Sequence, residues 1–144
     1  MKAMIDKFDG EYKFLSNFYP SVVRFGGAAY PTVENAYQAA KCANPSERKW
    51  FRDITPGKAK RLGRQVQIRH DWESVKVSIM FNLLEQKFTL HEDLREKLLA
   101  TEGKKLVEGN TWGDTFWGVC DGSGQNVLGK LLMGIRAKTI PDNK

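Results

Sequence analysis

Residues 71–88, DWESVKVSIMFNLLEQKF, decide the fold class. Val75, Ile79 and Leu83 recur every four residues, with Met80, Leu84 and Phe88 beside them. That is the period of an amphipathic helix, and Asp71 is placed to cap it. Toward the C-terminus, residues 92–100 repeat the pattern with Leu94, Leu98 and Leu99. Residues 104–108 read as a short strand, and residues 109–124 as a loop dense in glycine and aromatics. A last amphipathic helix begins near Gln125 and carries Val127, Leu128, Leu131, Leu132 and Ile135, followed by a tail, PDNK, expected to fray. Toward the N-terminus, Pro31 leads into a helix with Thr32 as its N-cap, and short helices are expected from Pro45 and from Pro56. Residues 12–30 read as extended structure and turns, with Gly26-Gly27 as a tight reversal. The expected fold is therefore helix-dominated α+β, a single domain over residues 1–144 with a small β element from the N-terminal third.

Composition narrows the class. With 41% hydrophobic and 28% charged residues over 144 positions, the chain can build a core and is not of the disordered kind. No apolar run approaches the roughly 20 residues that cross a bilayer. The start, MKAMIDKFDG, lacks the apolar stretch of a signal peptide, so a cytoplasmic location is expected. Cys42 and Cys120 fit reduced, buried thiols. His70 and His91 lie far from each other and from both cysteines, so neither a metal nor any other cofactor is expected.

The formal charge of +6 is uneven. Residues 41–69 hold nine basic side chains against Glu47 and Asp53, a local +7 that leaves −1 for the rest. Such a surplus points to an anionic partner, either a phosphorylated small molecule or a nucleic acid, or else to a solvated helical face.

Three motifs carry candidate chemistry. In PTVENAYQAAKCA, residues 31–43, Glu34, Gln38 and Lys41 fall within about 60° on a helical wheel, opposite Ala36, Ala39, Ala40 and Ala43. The polar trio points either at water or into a cleft; in a cleft it supplies a carboxylate beside an amine. In EGNTWGDTFWG, residues 108–118, Asp114 sits between Trp112 and Trp117. There partial desolvation would suit a general acid and the aromatics would suit base stacking; the alternative is a structural cluster with Asp114 capping a turn. GSGQN, residues 122–126, opens the last helix and offers backbone amides to an anion. Arg69 and Lys76 flank Trp72, where they would meet phosphate while the indole packs on sugar or base. Alternatively, Trp72 anchors its helix.

Five segments in this order resemble the NADAR superfamily, also called YbiA-like: FLSNFYP (14–20), PTVENAYQAAK (31–41), RHDWESVKVSIM (69–80), EGNTWGDTFWG (108–118) and GQNVLGKLLMGIR (124–136). The resemblance implies an N-glycosidase or ADP-ribosyl hydrolase. Its substrate would be a ribosylaminopyrimidine phosphate of riboflavin synthesis, or ADP-ribosyl-guanine in nucleic acid. Carried over by motif, Glu34 and Asp114 are the acid/base carboxylates, Trp72 shapes the sugar pocket and Lys41 is a Schiff-base nucleophile. Ser16, Asn17 and Phe18 line the site, with Gln38, Trp112 and Trp117 also substrate-binding. Arg69, Lys76, Asn126 and Lys130 take phosphate or ribose hydroxyls. The connection VCDGSGQN is shorter than in many relatives, which implies a more open pocket. Two non-enzymatic readings compete with this one: a catalytically silent ADP-ribose reader, and a basic nucleic-acid-binding protein.

Overall fold

The computed structural model describes residues 3–140 of the chain, so the tail PDNK lies outside the described residues. In chain order the elements are β1 (Met4–Ile5), a 3-10 helix (Gly10–Leu15), β2 (Val23–Phe25), β3 (Ala28–Tyr30), α1 (Val33–Ala40), a 3-10 helix (Pro45–Phe51), α2 (Pro56–Leu62), α3 (Trp72–Leu90), α4 (Glu92–Leu99), β4 (Lys105–Leu106), β5 (Gly109–Asn110), β6 (Val119–Cys120) and α5 (Val127–Thr139). The fold is helix-rich α+β, as expected. Two compact units divide the chain, one formed by Asn17–Lys87 and the other by the segments before and after it. None of the described helices is long and apolar enough to cross a membrane.

Within Asn17–Lys87, capping chemistry places the helices. The Thr32 side chain accepts a hydrogen bond from the Asn35 N–H at 3.0 Å and starts α1. Thr55 does the same for the Lys58 N–H, with Pro56 at the first helical position of α2. Gly26 and Gly27, both at positive φ, turn β2 into β3 with Val23 opposite Tyr30 and Phe25 opposite Ala28. Behind α1 the chain returns: the Ala43 N–H donates to the Gln67 carbonyl and the Arg69 N–H to the Lys41 carbonyl, at 2.9 and 2.8 Å. This stitch fixes the end of α1 beside the start of α3. Asp71 departs from the expected helix cap, because its carboxylate accepts two bonds from the Arg69 guanidinium at 2.6 and 3.0 Å.

Lys87, near the end of α3, is fully buried, with its Nζ 5.7 Å from the centre of the Tyr19 ring. Burial lowers the pKa of its amine from 10.5 to about 7.

In the other unit, β1 pairs in parallel with β4, Met4 opposite Lys105 and Ile5 opposite Leu106, joining segments about one hundred residues apart. β5 pairs in parallel with β6. β4 falls in the strand expected at residues 104–108, whereas β5 and β6 lie in the stretch expected to be a loop. Residues 12–15, expected to be extended, belong instead to the first 3-10 helix, because Phe14 and Leu15 are adjacent and both buried, which alternation would not allow. α5 begins at Val127, two residues later than expected. Arg136 secures it: one guanidinium nitrogen donates to the Thr101 carbonyl and hydroxyl and to the Lys104 carbonyl, at 2.8–3.0 Å.

Candidate active site

α1 is buried along its whole length, so its polar stripe does not face water. Glu34 is 7% exposed and Gln38 4%. The Gln38 amide donates to a Glu34 carboxylate oxygen at 2.7 Å, one helical turn away, and the Glu34 N–H donates to the Asn17 carbonyl at 3.1 Å. Asn17 is held in turn by its amide, which donates to the Met80 sulfur at 3.6 Å. Two amide oxygens, Asn17 Oδ1 and Gln38 Oε1, are buried without a hydrogen-bond donor among the described residues. Buried acceptors of this kind are costly unless a donor meets them, so both suit a ligand hydroxyl or amine.

Lys41 closes the stripe, half-buried, with its Nζ 5.8 Å from the centre of the Tyr37 ring. Burial pushes its pKa below 10.5, the Glu34 carboxylate opposes that shift, and the charges of Arg64, Lys60 and Lys76 reinforce it. Trp72 is buried with its ring tilted against Tyr37 at 5.1 Å, which anchors α3 on α1. Arg69 forms an ion pair with Asp71 and Lys76 with Glu73 at 2.7 Å. Phe18 is exposed. Sequence reasoning missed Gly63. Its φ of −60° needs no glycine, but a Cβ there would collide with the Gln38 carboxamide. The bare backbone thus lets α2 approach α1 at the site.

The second unit carries the tryptophan loop. One oxygen of Asp114 accepts from the Phe116 and Trp117 N–H groups at 3.1 and 2.9 Å, while the Asn110 side chain brackets the Asp114 backbone. Asp114 therefore caps a turn, and its Oδ2 makes no hydrogen bond among the described residues. Trp117 packs edge-on to Phe116, whereas Trp112 is 60% exposed, against the expectation that these aromatics seek burial. Ser16 ends the first 3-10 helix, its N–H donating to the Lys13 carbonyl.

The expected anion site at the start of α5 does not form. The Val127 and Leu128 N–H groups donate to the Phe116 and Trp117 carbonyls, and Asn126 to Gly118, so the loop itself occupies these amides. Asn126, expected to meet phosphate or ribose, is buried with both ends of its amide on backbone: it donates to the Leu106 carbonyl and accepts from the Glu108 N–H. Its role is to tie β4 to the head of α5. Lys130 is exposed on α5.

A family model described as the NADAR domain matches residues 5–139. The chain belongs to the NADAR family. Among NADAR relatives, it is 40% identical to the N-glycosidase YbiA of Escherichia coli over 130 residues, covering 88% of this chain and 81% of that protein. It is 37% identical to a riboflavin biosynthesis protein of Vibrio vulnificus over 132 residues, 89% of this chain but only 36% of that longer protein. The NMR structure of Escherichia coli YbiA superposes with a TM-score of 0.84 at 37% identity, covering 96% of this chain and 85% of that one. The NADAR match runs across both compact units.

Proposed function

We propose that this protein is an N-glycosidase that hydrolyses the bond between a nitrogenous base and a phosphorylated ribose. The observation that carries the proposal is the Glu34–Gln38–Lys41 stripe, a buried carboxylate held in place by one buried amide and accompanied by a half-buried amine of lowered pKa. The names borne by the YbiA relatives agree with it. As the C–N bond breaks, its electron pair leaves with the base nitrogen, which takes up a proton, and the sugar becomes oxocarbenium-like. Glu34 stabilises that positive charge, and Asn17 and Gln38 accept hydrogen bonds from ribose hydroxyls. Water then adds its oxygen to the anomeric carbon and gives up the proton that balances the one the base took. Asp114, on the tryptophan loop, is the second acid/base carboxylate in this reading, acting through the oxygen that does not hold its loop.

A second route has its own support in Lys41. A lowered pKa leaves more of the amine unprotonated, the form that attacks an anomeric carbon. The base leaves with the electron pair of the broken C–N bond and a proton. Opening of the ribose ring at its ring oxygen, which takes up a proton, turns the lysine adduct into a Schiff base that water later hydrolyses. Borohydride during turnover would trap that adduct on Lys41, whereas direct attack by water leaves nothing to trap.

The substrate is either a ribosylaminopyrimidine phosphate or ADP-ribosyl-guanine in nucleic acid. The second agrees with the exposed cations Lys49, Arg52, Lys58, Arg61 and Arg64. Incubation with each substrate, followed by mass spectrometry of the released base, decides between them. Glu34→Gln keeps an acceptor for Gln38 and so keeps the fold, but turnover should fall at least roughly a hundredfold. Wild-type turnover by that variant would remove Glu34 from the mechanism. Tight ADP-ribose binding with no release from either substrate would make the protein a reader.

A further inference from the structure

Motif matching gives phosphate to Arg69, Lys76, Asn126 and Lys130, yet Asn126 is committed to backbone and Arg69 is held by Asp71. A different pair of cations stands where the stripe of α1 needs them. Ala59 and Gly63 are the buried positions of α2 and its cap, one helical turn apart, and Gly63 abuts the Gln38 carboxamide. Lys60 and Arg64 each follow one of these by a single residue, so they share the adjoining face, also one turn apart. The turn persists through Arg64, whose N–H donates to the Arg61 carbonyl at 3.1 Å. Both charges, with that of Lys76, act on Lys41, and the Glu34 carboxylate opposes them. Arg64 forms no ion pair among the described residues. Lys76 is already paired with Glu73, so the cations of α2 are the ones whose charge beside this half-buried amine suits an anionic ligand.

We propose that Lys60 and Arg64 form a phosphate subsite beside Lys41 that binds the phosphate monoester of the substrate's ribose. The identity of the substrate rests on the N-glycosidase reading; the affinity for a phosphate does not. A monoester carries close to two negative charges at neutral pH. A guanidinium fork can grip two of its oxygens while an ammonium meets the third. Placed there, the phosphate holds the ribose against the carboxylate and amide oxygens of α1, and the subsite selects phosphorylated over free ribosides.

Calorimetric titration of the full chain with ribose 5-phosphate, ribose and ADP-ribose tests this without turnover. Lys60→Gln and Arg64→Gln should each weaken ribose 5-phosphate binding roughly tenfold, and the pair roughly a hundredfold. Ribose binding should stay unchanged, and Lys60→Arg should restore most of the loss. In cleavage assays the double variant should raise KM for the phosphorylated substrate with kcat little changed, and should leave the dephosphorylated substrate unaffected. Equal affinity of wild type for ribose and ribose 5-phosphate, or wild-type ribose 5-phosphate affinity in the double variant, overturns the subsite. Loss of ADP-ribose binding with ribose 5-phosphate binding intact overturns the monoester assignment. The two proposals fail separately. Phosphate binding through these residues without base release leaves the subsite standing and removes the reaction; base release with unchanged KM in the double variant does the reverse.

Discussion

Replacing Lys87 by methionine isolates the cost of burying an ammonium group inside this fold. The Lys87 amine has a pKa of about 7 in the folded chain against 10.5 when free, and burial is the cause. The folded pKa is depressed, so the unfolded chain binds more protons between about pH 7 and pH 10.5, and stability must rise with pH through that window. Below pH 7 both states are protonated and the contribution is flat. The slope approaches about 1.4 kcal/mol per pH unit, and integrating from pH 7 to pH 9 gives a gain of about 2 kcal/mol from this one group. At about 2–4 °C per kcal/mol for a chain of this size, wild-type Tm should climb roughly 4–8 °C relative to Lys87→Met over that interval. Thermal unfolding followed by circular dichroism at half-unit pH steps reads the difference directly. Lys41, whose pKa is also lowered, contributes the same slope to both proteins and cancels in the comparison. Parallel Tm curves for the two proteins would refute the claim that Lys87 is titrated by burial, whatever their absolute stabilities.

Three further outcomes can be checked by substitution. Gly63→Ala places a methyl group on the Gln38 carboxamide and should cost about 1–3 kcal/mol as well as turnover. Gly134→Ala, whose added carbon meets open space on α5, should be neutral or stabilise by about 0.5–1 kcal/mol in the same denaturation assay. Asp114→Asn retains an oxygen for the Phe116 and Trp117 N–H groups, so Tm should hold while turnover falls at least roughly a hundredfold; Asp114→Ala should lose both. Full turnover with Asp114→Asn would confine Asp114 to shaping its loop.

Local chemistry made most of the helices legible. Thr32, Pro45 and Pro56 mark helix starts because capping and proline geometry act within a few residues, and the four-residue apolar period of α3 acts within one element. The glycine pair of the hairpin belongs to the same class, since the turn needs positive φ at both positions. The order of motifs likewise made the NADAR family legible from residue 14 to residue 136.

Tertiary structure alone decided which polar groups are buried and what holds them. A helical wheel puts Glu34, Gln38 and Lys41 on one side of α1, but it takes tertiary packing, including the close approach of α2 at Gly63 and the turn at Asn17, to bury Glu34 and Gln38. Lys87 occupies a core position that no periodicity marks for a cation. Asn126 and Asp114 carry the same side chains whether they bind a ligand or a backbone; the partners that settle the matter for Asn126, at Leu106 and Glu108, lie about twenty residues away. The pairing of β1 with β4 joins two-residue segments too short to announce themselves. Lys60 and Arg64 were legible as charge and illegible as a site, because net charge records how many cations a stretch contains and not which of them packing turns toward the same amine. Propensity and capping are sums over neighbours in sequence, whereas burial and charge proximity are set by neighbours in space.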